Sequence, residues 1–204
     1  ATLAARIEST GGDVSVTAGT LASTAGGLTV TTGSVITNTG AITLTGNASS
    51  SHGAWFESNS TVSSNSGNIT ITGNAPSSVW GVYFDGAKIL SSSGDILITG
   101  GSSHGLVLGH NNGTTDLGAI SSSPASTGSI TLIGDRYWEA SAGVRIRTTG
   151  PVVIESNANQ FSVDTTILNH TFTGHSSLRI GKSTNQRAVT VSGGSVSVVN
   201  DYNI

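Results

Sequence analysis

The sequence predicts an all-β chain wound as a right-handed parallel β-helix, a single solenoid over residues 1–204 with about seven turns of ~27 residues each. Three observations predict it. A glycine-led phrase of alternating apolar and polar residues recurs at a near-constant interval. Corner-forming residues dominate, with 28 Gly, 33 Ser and 28 Thr against only 9% charged residues. No stretch carries the long 3.6-residue apolar stripe of an amphipathic helix.

The main phrase reads Gly40-Ala41-Ile42-Thr43-Leu44-Thr45-Gly46, then Gly67-Asn68-Ile69-Thr70-Ile71-Thr72-Gly73. It returns as Gly94-Asp95-Ile96-Leu97-Ile98-Thr99-Gly100 and Gly128-Ser129-Ile130-Thr131-Leu132-Ile133-Gly134. Worn copies follow at Gly150-Pro151-Val152-Val153-Ile154 and Leu178-Arg179-Ile180. The first apolar residues, 42, 69, 96, 130, 152 and 178, are spaced by 27, 27, 34, 22 and 26. Period-2 alternation marks each phrase as a half-buried strand, and a single turn cannot bury its own apolar face. Stacking successive copies about 4.8 Å apart makes inward columns of Ile, Leu and Val, and seven such steps give a rod on the order of 35 Å long. Right-handedness follows the rule for parallel crossovers.

A second phrase follows the first: Gly53-Ala54-Trp55-Phe56, Gly81-Val82-Tyr83-Phe84, Gly105-Leu106-Val107-Leu108 and Gly143-Val144-Arg145-Ile146. A third apolar spot lies at Val62 and at Ile89-Leu90. Upstream, Val14-Ser15-Val16 and Leu28-Thr29-Val30 stand 14 apart and read as half-turns. The 34-residue turn carries extra residues within 110–126, which read as a loop leaving the coil. Residues 156–204 are less regular. Val189 to Val198 reads as a hairpin, the feature an antiparallel sandwich would share.

Composition excludes other classes. There is no Cys for a disulfide scaffold or a cysteine zinc site. Net charge is −3 with scattered arginines, so no basic stripe suits nucleic acid. Apolar runs are too short to insert in a membrane. The five histidines show no metal spacing, with His170 and His175 placed on a corner, and no cofactor is expected.

The Gly-Asn-Ile-Thr-Ile-Thr-Gly phrase, alternating with Gly-Val-Tyr-Phe phrases, resembles the rod of filamentous-haemagglutinin-like adhesins of bacterial two-partner secretion. The resemblance covers about residues 10–155. The Asn-Pro-containing motif of that family's secretion domain is absent, and the chain starts in mid-pattern with no polar cap at either end, so a piece of a longer β-helical parent is expected. The resemblance implies secretion to the bacterial cell surface, and attachment to host cells, surfaces or other bacteria through a glycan or protein receptor. It implies no catalysis by the rod itself.

Recognition would then fall to outward side chains. Alternation puts Trp55, Tyr83, Val107 and Arg145 in one outward column, where Trp55 and Tyr83 can stack on sugar faces or on each other. Beside it, Glu57 and Asp85 form a carboxylate pair, suited to Ca²⁺ or to glycosidase chemistry or else simply a solvated rim. Arg136-Tyr137-Trp138-Glu139 is the densest polar–aromatic cluster, with Arg145 and Arg147 on the same turn. It can dock an acidic glycan or a partner protein, or pack as a corner.

Other motifs carry less. The outward Thr-x-Thr array, which ice-binding rods display, breaks at Leu97 and Ile133. Gly101-Ser102-Ser103-His104-Gly105 matches a nucleophile elbow without the helix it needs. Gly181-Lys182-Ser183 lacks the first glycine of a phosphate loop. Asn-x-Ser/Thr occurs at Asn47, Asn59, Asn68, Asn112 and Asn169, a number that composition alone produces. A polysaccharide-degrading β-helix enzyme and a phage tailspike-like fibre are the rival readings. The enzyme would need acids clustered across adjacent turns, and here charged residues are few.

Overall fold

In the computed structural model, the described residues are 1–21, 26–76, 80–102, 104–109, 113–120, 122–139, 143–192, 195–197 and 202–203. The side chains at 138–139, 168, 192, 195–197 and 202–203 are outside that description. Every element in it is a strand, and every pairing is parallel.

All but two of the strands fall in rotation onto three sheets, and Thr165–Leu168 and Val189–Ser192 pair as a separate two-stranded sheet. The first stacks Thr2–Leu3, Leu28–Val30, Ala54–Phe56, Val82–Phe84, Leu106–Leu108 and Tyr137–Glu139. The second runs from Arg6–Ser9 through Ser34–Thr37, Thr61–Ser64, Lys88–Ser91, Thr115–Gly118, Val144–Arg147 and His170–Thr173 to Ser195–Ser197. The third runs from Val14–Ala18 through Ile42–Asn47, Ile69–Asn74, Ile96–Gly101, Ile130–Gly134, Val152–Glu155 and Leu178–Ile180 to Tyr202–Asn203. The fold is therefore a parallel β-helix. Val14 pairs with Ile42 while Leu28 pairs with Ala54, so these two segments are parts of one turn on different sheets.

Registry is residue for residue. Ile42, Ile69, Ile96, Ile130, Val152 and Leu178 form one inward column, and Leu44, Ile71, Ile98, Leu132, Ile154 and Ile180 form the next. The first five members of each column are at most 1% exposed. Phe56 and Phe84 continue the stacking on the first sheet, rings 5.0 Å apart and tilted by 29°. That distance matches the strand spacing, so each aromatic sits on its own image one turn away.

The corner between the second and third sheets is built by a hydroxyl three residues before a glycine. Ser64 Oγ accepts from Gly67 N at 2.8 Å and Ser91 Oγ accepts from Gly94 N at 2.9 Å. Thr37 Oγ1 donates to the Gly40 carbonyl at 2.6 Å and lies 3.0 Å from Ser64 Oγ in the turn above. Thr148 repeats the device with an offset of two, accepting from Gly150 N at 2.9 Å. Each glycine is required by the close approach of its neighbour: a Cβ on Gly67 or Gly94 would lie inside the carbonyl oxygen of Gly40 or Gly67. Outside this corner Asp13, Asn68 and Asp95 accept from the backbone N–H of Ala41, Asp95 and Ser129 at 2.7–2.9 Å. Turn is thus tied to turn by side chains as well as by the ladder.

Two irregular segments differ from the sequence expectation. Within 110–126, Thr115–Gly118 is not a loop but a strand of the second sheet, paired with Lys88–Ser91 and Val144–Arg147. The extra residues sit on either side of it; 110–112 and 121 lie outside the described residues. Val189 to Val198 is not a hairpin. Val189–Ser192 pairs in parallel with Thr165–Leu168, and Ser195–Ser197 with His170–Thr173, so they are successive strands of one turn. Residues 193–194 and 198 are outside the described set.

Candidate functional site

The first sheet carries the most distinctive surface. Ala54–Phe56 and Val82–Phe84 turn Phe56 and Phe84 inward, which forces Trp55 and Tyr83 outward by the pleat. The Trp55 and Tyr83 rings meet edge to face, centroids 5.7 Å apart at 79°. His52 stacks on Trp55 at 5.2 Å and meets the Tyr83 ring edge-on at 4.9 Å. Beside them Trp80 and His104 form a second edge-to-face pair at 5.0 Å. Sequence reasoning missed His52, Trp80 and His104. Their signal was present: each immediately precedes the glycine of its second phrase, so three consecutive turns place an aromatic ring at the same corner.

This face is not an open platform. Trp55 is half-buried, Tyr83 only 9% exposed and Val107 fully covered. The Trp55 indole Nε1 is buried with no hydrogen-bond partner. Burial, and secondarily the charge of Asp85, push the Tyr83 hydroxyl up to about 12, so it stays protonated at neutral pH and can donate.

Glu57 and Asp85 follow Phe56 and Phe84 on adjacent turns, as expected. Asp85 is 5% exposed, its N–H donates to the Phe56 carbonyl at 2.8 Å, and its own carbonyl accepts from Ser58 Oγ at 2.9 Å. Trp55, Glu57, Ser58 and Asp85 line a shallow, open cleft of about 430 Å³. An aromatic wall, two carboxylates and a hydroxyl are the groups with which proteins hold a sugar ring, one to cover its apolar face and the others to bond its hydroxyls.

The arginines go elsewhere, correcting the sequence expectation. Val144–Arg147 belongs to the second sheet, so Arg145 stands outside the Trp55 column and in register with Asp116. Its Nε and Nη2 donate to the two oxygens of that buried carboxylate at 2.6 and 2.9 Å. Arg147 donates to the carbonyls of Ile120, at 2.8 Å, and Ser123. It therefore pins the segment after Thr115–Gly118 rather than offering a free charge. On the first sheet the residue in register with Val107 is Trp138, not Arg145. Tyr137 points inward, not to a ligand: it is 6% exposed, pairs with Leu106 and meets Phe161 edge-on at 5.9 Å. Burial, and secondarily Glu155 and Asp135, hold its hydroxyl well above the ordinary tyrosine range.

His170 lies in the strand His170–Thr173 rather than on a corner, His175 lies on the corner that follows it, and both are buried beside Phe172, at 5.5 and 6.1 Å between ring centroids. Both His175 nitrogens are buried without a hydrogen-bond partner, and burial lowers its pKa. Ser102 caps its corner by accepting from Gly105 N at 2.9 Å, and Ser103 lies outside the described residues. Among the described residues no three His, Asp or Glu side chains converge as a metal site. No helix there is long and apolar enough to cross a membrane.

The architecture places the chain among parallel β-helix proteins. Comparison with protein-family models, curated proteins and solved structures finds no match.

Proposed function

We propose that the chain is a segment of a surface-displayed adhesin rod, non-catalytic, that attaches a bacterium to host cells, surfaces or other bacteria by binding glycans. The observation that carries this reading is the ring cluster of His52, Trp55, Tyr83, Trp80 and His104 beside the Glu57–Asp85 cleft. Half-buried aromatic rings next to paired hydrogen-bonding groups suit a ligand with both an apolar face and hydroxyls. The disposition of the acids also supports binding over hydrolysis. Asp13, Asp95, Asp116, Asp135, Glu155 and Asp164 all accept hydrogen bonds from a neighbouring turn, so they serve to join turns.

The test is a glycan array and a cell-binding assay on the 204-residue chain, run beside a polysaccharide depolymerisation screen. Selective glycan binding that Trp55→Ala abolishes is the expected result. Depolymerisation of any glycan, or binding indifferent to Trp55 and Tyr83, would overturn the reading.

A further inference from the structure

The strongest concentration of positive charge lies far along the coil from the aromatic cluster. Arg179, Lys182 and Arg187 fall within nine residues and supply three of the chain's eight Lys and Arg. They line one cleft of about 390 Å³ together with Ser183 and Asn185. The segment connects Leu178–Ile180 to Val189–Ser192 and is held in a defined shape. Gly181 takes a left-handed φ of 85°, its N–H bonds the Ile154 carbonyl at 2.7 Å, and Asn185 N donates to the Lys182 carbonyl at 2.9 Å. Asn185 is fixed again from both ends of its amide, accepting from Phe161 N at 3.2 Å and donating to the Arg187 carbonyl at 2.9 Å.

The three cations are compensated unequally. Arg179 is neutralised by Glu155, with Nη2 to Oε2 at 2.8 Å. Lys182 Nζ donates to the carbonyls of Ala158 and Asn157 at 2.8 and 3.3 Å, dipoles rather than charges. Arg187 is exposed and forms no ion pair among the described residues. Among the described residues the other carboxylate nearby is Asp164, which accepts from Ala188 N at 3.1 Å. Two like charges are thus kept on one cleft, with hydroxyl and amide groups between them and one acid at its margin. An isolated pair of cations is stabilised by an anion that bridges them, and guanidinium and ammonium together match an oxyanion through charge-assisted bonds.

We infer that the cleft lined by Arg179, Lys182, Ser183, Asn185 and Arg187 is a binding site for a compact oxyanion: a sulfate, phosphate or carboxylate group. Lys182 acts as the point charge and Arg187 as the fork, while Ser183 and Asn185 supply neutral donors. The site goes beyond the glycan-binding face proposed above and stands or falls separately from it.

The test is an amide NMR titration of the 204-residue chain with sodium sulfate, sodium phosphate and sodium acetate, each against sodium chloride at matched ionic strength. Saturable shifts confined to residues 179–189 are expected with at least one oxyanion, and which salt acts best distinguishes tetrahedral from carboxylate ligands. Arg187→Gln, at an exposed side chain, should weaken binding by about tenfold, the loss of one charge-assisted contact. Lys182→Gln should weaken it as well, and Asp164→Asn should tighten it. Shifts reproduced by chloride, or an Arg187→Gln variant that titrates like the parent, would overturn the site.

Discussion

Arg145 lies one turn from Asp116 and grips both of its carboxylate oxygens, at 2.6 and 2.9 Å. The partners differ in exposure: the Asp116 side chain is 2% exposed and that of Arg145 43%. Removing the arginine strands a buried charge; removing the carboxylate releases a cation that water can reach. Arg145→Ala should therefore cost more than Asp116→Asn, about 3 kcal/mol by chemical denaturation, with solvent access and the neighbouring Lys88 holding it to the low end of the range for broken buried pairs. The double variant should recover part of that loss. Equal costs for the two single variants would contradict this account.

Glycines of the corner between the second and third sheets differ sharply in what they tolerate. Gly67→Ala places a methyl group inside the Gly40 carbonyl oxygen and should destabilise by about 3 kcal/mol or more. Gly11→Ala meets nothing closer than Thr39 Oγ1 at 3.7 Å and should leave the melting temperature nearly unchanged. Thermal melts of the two variants side by side check the difference.

The hydroxyl column at the same corner is structural. Ser64→Ala removes the acceptor of Gly67 N and a partner of Thr37, and should cost about 1–2 kcal/mol. Ser64→Thr, which keeps the oxygen, should cost less. Urea midpoints compare them.

His175 makes stability depend on pH. Its ring is fully buried and its pKa is lowered from 6.5 by burial. The unfolded chain then binds the proton first as pH falls. The contribution of the neutral ring is intact above 6.5 and is lost progressively as pH drops below 6.5 toward the folded-state pKa. The melting temperature should fall between pH 7 and pH 5, and His175→Leu should flatten that slope. A slope unchanged by the substitution would assign it to other groups.

Much of the fold was legible because it is local. Alternation in period 2 and a recurrence near 27 residues together determine which side chains turn inward and which copies stack, so Ile42, Ile69 and Ile96 could be placed over one another from sequence alone. The aromatic pair Trp55–Tyr83 and the neighbouring Glu57 and Asp85 followed from the same register. The hydroxyl-to-glycine corner and the rings before the phrase glycines were missed, though both repeat in the sequence, because attention to apolar positions passes over them.

What only the tertiary structure decided is which corner of an irregular turn grows or shrinks. Tyr137 follows Leu132 by five positions where Val82 follows Ile71 by eleven. The short turn loses its residues before the first sheet, so Tyr137 takes that slot and Gly143-Val144-Arg145-Ile146 moves to the second sheet despite its likeness to Gly81-Val82-Tyr83-Phe84. Spacing counts residues around a turn, but it does not say how the backbone distributes them. That distribution is chosen by packing, here by burying Tyr137 against Phe161 and by bringing Arg145 to the carboxylate of Asp116.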